Sequence, residues 1–291
     1  MSVSSAKELL GEVRREKQKS RRGFLKTVGF AGAGIVGGGA LAGCGGASGL
    51  SLSNVRASSS SSSPTDADIL NFALNLEYLE AEFYTYATTG NGIGSAGIAT
   101  SGTGNSGVTS GGMKISFPDD EHHDIFVNVT SDEQAHVTLL RSALGSAAVA
   151  KPAIDLNALG LGFGSFIEFI NLARAFEDVG ITAYAGAAPL ISNKMYLGVA
   201  ARILATEGEH SGNIRDLVIL YEADDAPSAK AIGKLDSVDI PPTDGIYFSV
   251  NYEGLVETRT PAQVLAILYH GSGKTSGAFF PSGVNGAITS S

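Results

Sequence analysis

From Asp66 onward the apolar residues recur at threes and fours. Ile69, Phe72, Ala73, Leu76, Leu79 and Phe83 line one face of a helix over about six turns, and Thr65 with Asp68 three residues on supplies its N-terminal cap. Residues 88–116 then lose the pattern in a Gly, Ser, Thr and Asn-rich stretch. It is long for a connection inside a bundle and reads as an insertion loop with freedom to move. A second helix is predicted from near Pro118, whose followers Asp119, Asp120 and Glu121 suit the positive helix end, to Leu144. Gly145 to Gly164, with Pro152, is long enough to carry the chain back along the whole bundle. A third helix spans roughly Ser165 to Ala188 and stops at Pro189. A fourth runs from about Asn193 to Glu222, and both show apolar residues on more than one stripe, as for helices with several neighbours. The expected fold is therefore all-α, an antiparallel four-helix bundle over 66–222 with one long crossover.

Residues 223–291 change character. Pro241, Pro242, Gly245 and the alternating run Ile246 to Val250 predict irregular structure or a small hairpin, and Thr260-Pro261 caps one short helix ending near Tyr269. No catalytic constellation stands out there. The segment is expected to pack on the bundle or to form a homo-oligomer contact.

Ahead of the bundle, Ser20-Arg21-Arg22-Gly23-Phe24-Leu25-Lys26 precedes the soft apolar run Thr27 to Gly43, and the two together resemble a twin-arginine export signal over residues 1–43. Leu41-Ala42-Gly43-Cys44 is similar to a bacterial lipobox, which implies lipidation of Cys44, a membrane anchor, and a periplasmic or cell-surface location. The alternative is an unmodified Cys in a tail. Cys44 is the only cysteine, so no intramolecular disulfide can form. Residues 44–65, with the serine run Ser58 to Ser63, read as a tether. From Cys44 on, twelve Lys or Arg face twenty-six Asp or Glu, a formal charge of -14. With no basic stripe, nucleic acid is not an expected partner.

The chemistry lies on the helices. Glu133-Gln134-Ala135-His136 and Glu207-Gly208-Glu209-His210 each put a carboxylate and an imidazole one turn apart on one side of a helix. With fifteen Glu and five His in the chain, about a quarter of one such pair is expected by chance. The other two helices carry a matching half, Glu77 seven residues before Tyr84 and Glu177 seven before Tyr184. Four Glu and two His meet the needs of a dinuclear carboxylate site, in which hard cations take bridging and terminal oxygens plus a neutral imidazole each. Glu133 and Glu207 are expected to bridge, Glu77 and Glu177 to bind one metal each, and His136 and His210 to complete the two spheres. Tyr84 and Tyr184 are placed to hydrogen-bond a ligand from the opposite helix.

These residues resemble the ferritin-like superfamily that includes bacterioferritin, rubrerythrin and manganese catalase. Leu74 to Tyr84, Asp132 to Val137, Phe176 to Tyr184, Arg259 to Leu265 and Phe279 to Gly286 are similar, more narrowly, to desiccation-related ferritin-like proteins. The resemblance covers about residue 66 to the end and implies two iron or two manganese ions at the six residues named. Glu80, three from Glu77, is the alternative ligand, and the Glu177 to Tyr184 spacing favours Glu77. Glu82, Glu209, His122 and His123 read as solvent-facing, with a secondary metal role as the alternative for the two histidines. The alternative for the whole set is a bundle of buried, paired polar groups without ions, which burial of four carboxylates makes costly. Two function classes remain: an oxidoreductase acting on oxygen or peroxide as ferroxidase, peroxidase or catalase-like centre, and a non-catalytic stress or surface protein whose metals hold the fold. A closed iron-storage shell is disfavoured by the tether and the insertion.

Overall fold

The computed structural model describes residues 63–236, 239–243 and 245–291. The export-type segment, Cys44 and nearly all of the serine-rich tether lie outside them. Four long helices make the bundle: α1 (Asp66–Thr89), α2 (Asp120–Leu144), α3 (Phe166–Ala187) and α4 (Lys194–Leu220). Each starts on a side-chain cap that satisfies an otherwise orphaned N–H. Thr65 and Asp68 form a reciprocal capping box, Asp119 accepts from the His122 N–H, Ser165 from that of Glu168, and Asn193 from those of Met195 and Tyr196. The second helix thus opens at Asp120, since Asp119 caps it, two residues past the predicted Pro118.

Burial divides the four helices into two kinds. Almost every side chain from Ile69 to Thr88 on α1 and from Phe169 to Tyr184 on α3 is buried, whereas α2 and α4 bury one stripe each. The single stripe of α4 departs from the several expected. The cause is what wraps the outside. Over α1 lies the crossover, where Asn71 takes the Val149 N–H and gives to the Ala147 carbonyl. The C-terminal tail lies there too, where the Asn75 side chain donates to the Asn285 carbonyl and accepts the Asn285 N–H. Over α3 lie two short helices, α5 (Pro227–Ile232) and α6 (Pro261–Leu268). At Gly186 of α3 a Cβ would stand 2.2 Å from the Arg259 carbonyl oxygen, so this approach requires glycine.

The insertion is pinned rather than free. Its strand β1 (Thr109–Ser110) pairs in parallel with β2 (Ile154–Asp155) of the crossover, Thr109 opposite Ile154. Beneath them the buried Lys151 ammonium donates to the Gly107 carbonyl and Thr109 hydroxyl and faces Glu82 at 3.4 Å. Glu82 also accepts the Ile93 N–H. The solvated reading of Glu82 is therefore wrong: its partner sits on a loop about seventy residues away, invisible to helical periodicity. Among the described residues the C-terminal region holds two short α-helices where one was expected, the extra one carrying Pro227 in its first turn. The Thr260 cap and the end at Tyr269 are as read. Around Ile246 to Val250 only isolated antiparallel bridges form, Thr243 to Ile246 and Val250 to Val256.

Candidate metal centre

Helical spacing places Glu77, Glu177, Glu133 with His136, and Glu207 with His210 at one level, where the four helices face each other. All four carboxyl groups are fully buried and the two imidazoles nearly so. Two groups of ligand atoms result, each within 4.8 Å of one another: Glu77, Glu133, His136 and Glu207 in one, and Glu133, Glu177, Glu207 and His210 in the other. Glu133 and Glu207 belong to both. His136 Nδ1 stands 3.2 Å from Glu77 Oε2, 3.4 Å from Glu133 Oε2 and 3.3 Å from Glu207 Oε1. His210 Nδ1 is 3.0 Å from Glu133 Oε1 and 3.4 Å from Glu177 Oε2.

Glu77 and Glu177 are held by crossed hydrogen bonds. The Tyr184 hydroxyl donates to Glu77 Oε1 and the Tyr84 hydroxyl to Glu177 Oε1, so each tyrosine serves the carboxylate of the other helix pair. Burial, followed by the carboxylate each one faces, pushes both phenols well up and keeps them protonated donors. One oxygen of each glutamate is thereby taken and Oε2 is turned inward. His210 Nε2 lies 3.3 Å from Asp132 Oδ2, which leaves Nδ1 to face the carboxylates.

The atoms turned inward have no hydrogen-bond partner: Glu77 Oε2, both oxygens of Glu133 and Glu207, Glu177 Oε2, and Nδ1 of both histidines. Each unpartnered buried polar atom costs about 1–3 kcal/mol, so eight converging on one volume call for a cation. Donors bound at about 2.1 Å to a shared ion stand about 3.0–3.4 Å apart, the range of the nitrogen-to-oxygen separations here. The donor set fits divalent iron or manganese, hard oxygens moderated by imidazole.

Without an ion the charges are settled by protons. Burial raises Glu77 to about 7 against the opposing pull of His136. Burial also pushes Glu133 up, but the two imidazoles that face it, His136 and His210, outweigh burial and bring the group down to about 2. Burial, then the neighbouring carboxylates, hold Glu207 and Glu80 well above the carboxylate range. His210 is pulled down by burial yet carried to about 12 by Glu133 and Glu177, and His136 rises further under Glu77, Glu133 and Glu207.

Glu80 is buried beside the cluster and outside both ligand groups. A Cβ on Gly180 would meet both Glu80 Oε1 and Glu207 Oε2 at 3.2 Å, so a bare helix backbone at this point lets both carboxyls stand against α3. His122 is a correction. It is buried at the end of the bundle, bonded to Asp119 at 2.6 Å and to the Tyr221 hydroxyl at 3.1 Å, with Phe166 against its ring. His123 is half-buried against Phe117, and Glu209 is exposed. A second buried network escaped the sequence reading altogether. Asp178, next to Glu177, accepts from Ser211, next to His210, at 2.7 Å, from Arg215 at 2.7 Å and from Arg174 at 3.3 Å. It locks the register of α3 against α4. The Arg174 to Asp178 spacing was its only signal, and such spacing more often marks a solvated ion pair.

The two ends of the cluster differ. Around Tyr84 the rings of Phe83, Phe126 and Phe169 close the bundle, while Tyr184 borders a small apolar cleft of about 20 Å³ lined by Ala73, Ala187, Val199 and Ala200 among others.

A four-helix bundle with one long crossover and a buried Glu and Glu-x-x-His set from each half defines a ferritin-like protein. The model of the ferritin-like domain family matches residues 65–220, and the chain belongs to that family. Among curated relatives it is similar to the ferritin-like catalase Nec2 of Nesocodon mauritianus, 23% identical over 271 residues that cover 77% of this chain and 84% of that protein. It is also similar to the desiccation-related protein PCC13-62 of Craterostigma plantagineum, 27% identical over 177 residues, 54% of each chain.

Proposed function

We propose that this chain is an exported oxidoreductase that consumes peroxide at a pair of iron or manganese ions. Glu77 and His136 would hold one ion, Glu177 and His210 the other, with Glu133 and Glu207 shared. The observation that carries the reading is that sharing: two ligand groups with two carboxylates in common describe a pair of adjacent ions rather than two separate ones. Such a pair supplies two one-electron changes side by side, which match the two-electron oxidation or reduction of hydrogen peroxide. The relative named as a ferritin-like catalase, matched over most of its length, favours disproportionation to water and oxygen over iron oxidation.

The chain's own residues have distinct parts. Tyr84 and Tyr184 orient Glu177 and Glu77 through their Oε1 atoms. Asp132 orients His210. Glu80, the buried carboxyl left outside both ligand groups, holds at its side-chain oxygens the proton that peroxide gives up and water formation takes back. The rings around Tyr84 exclude water, and the apolar cleft at Tyr184 admits a small neutral substrate. Export by the twin-arginine route and lipidation at Cys44 rest on the motifs of the first 44 residues, and mass spectrometry of the mature N-terminus tests both.

Elemental analysis followed by an oxygen electrode tests the function. About two iron or manganese ions per chain and one oxygen evolved for every two peroxides consumed, both lost in Glu133→Ala, support it. Metal bound at that level without turnover of peroxide or oxygen would reject the enzyme and leave a centre that holds the fold. Protein that neither contains nor takes up metal would reject both.

A further inference from the structure

Thirteen large apolar side chains are exposed among the described residues, and six of them fall within ten positions: Ile246, Tyr247, Phe248, Val250, Tyr252 and Leu255. Phe248 is 66% exposed, Leu255 61% and Tyr252 96%. At roughly 150–250 Å² for a whole aromatic side chain and somewhat less for an aliphatic one, the six together expose about 700 Å² along one ten-residue segment, most of it apolar. A typical monomer's largest apolar patch is about 300–600 Å², and a stable interface takes about 800 Å² from each partner. The patch alone nearly fills that requirement.

The segment is also built to stay in place. Arg215, buried in α4, donates from Nε to the Tyr247 carbonyl and from Nη2 to that of Ile240, both at 2.9 Å, while its Nη1 holds Asp178. Val250 bridges Val256, the Asn251 N–H donates to the Leu255 carbonyl at 2.8 Å, and the Asn251 side chain accepts from the Glu253 and Leu255 N–H groups. A surface fixed in advance loses less entropy on association.

Charge and composition select the occupant. From Ile240 to Thr258 there is no Lys or Arg, and Asp244, Glu253 and Glu257 are acidic, so an anionic lipid surface would be repelled. Tyr and Phe dominate the patch, as they do interface cores, and an aromatic and aliphatic surface laid on its own two-fold image buries no unpaired charge. We propose that residues 246–255 form the centre of a two-fold interface between two copies of this chain, with Glu253 and Glu257 at its rim.

Sedimentation equilibrium of the full chain, at concentrations from about 1 to 100 µM, tests this. The wild type should be a dimer whose dissociation constant falls as salt is raised, because screening the acidic rim removes like-charge repulsion. Phe248→Ser with Tyr252→Ser should raise that constant at least ~100-fold. Since both side chains face solvent, melting temperature under dissociating conditions should not change. A chain monomeric at every concentration overturns the proposal, as does a dimer indifferent to the double substitution, which would use another face. Capture of the wild-type monomer, but not the variant, by zwitterionic phosphatidylcholine vesicles would assign the patch to lipid and also overturn it.

Discussion

Glu207→Gln should change the sign of its effect on stability with metal. Glu207 is fully buried, both its oxygens lack partners, and with no ion present burial and then Glu133 and Glu177 push its carboxyl well up. Gln keeps the shape, removes the ionisable group and adds a donor among acceptors. Relief of one to two unpartnered atoms is worth about 1–3 kcal/mol, or about 2–10 °C for a body of this size. The metal-free variant should therefore melt higher than metal-free wild type. With metal the order reverses. Wild type gains about 2.7 kcal/mol for each ion supplied at a hundred times its dissociation constant, about 10–20 °C for two ions, and loss of a shared ligand removes most of that from both sites at once. Differential scanning fluorimetry in chelator and in manganese(II) reads both quantities. A variant that melts lower than wild type by the same amount in both conditions would refute the reasoning, because Glu207 would then be an ordinary packing residue.

Three further outcomes follow from the same geometry. Glu77→Gln removes a ligand found in one group only, so elemental analysis should find about one ion where Glu133→Gln leaves almost none. Tyr184→Phe frees Glu77 Oε1 and Tyr84→Phe frees Glu177 Oε1; each should weaken metal binding by about 10–100-fold in competition with a chromogenic chelator, with the fold intact by circular dichroism. The pH profile of the metal-free protein should be inverted relative to the loaded one. Glu77, raised to about 7, and His210, raised to about 12, contribute stability that is lost as pH rises, from about 4.5 and 6.5 respectively, whereas the contribution of Glu133, lowered to about 2, is lost as pH falls below about 4.5. Melting temperature in chelator should thus peak near pH 5 and decline toward pH 8, while the increment from metal grows over that interval as protons leave the ligands.

The helices and the cluster were legible in the chain because both obey one period. Residues three, four and seven apart share a helix face, so Glu133 with His136, Glu207 with His210, and the two Glu to Tyr pairs declared both a face and a common level. Helix geometry alone could not decide between Glu77 and Glu80, which lie on the same side; the crossed tyrosine contacts separate them, leaving Glu80 buried but outside either ligand group. What stayed hidden depends on partners far along the chain. Glu82 meets Lys151, His122 meets Tyr221, and Asn75 meets Asn285 only after folding. A polar residue with no visible partner defaults to the surface: for Glu82 a loop with no period of its own supplies the cover, and for His122 the far end of α4 does.

The crossed pairing of the two halves makes the centre a property of the whole chain. Glu77, Glu133 and His136 come from the first helix pair and Glu177, Glu207 and His210 from the second, yet each ligand group borrows a carboxylate from the other side and each tyrosine reaches across. No fragment ending in the crossover owns a complete coordination sphere. Cut between Gly145 and Gly164, the molecule would become two peptides with a metal-dependent affinity for each other, parted by a chelator and rejoined by the ion. A filled centre would then mark only chains whose two halves have met.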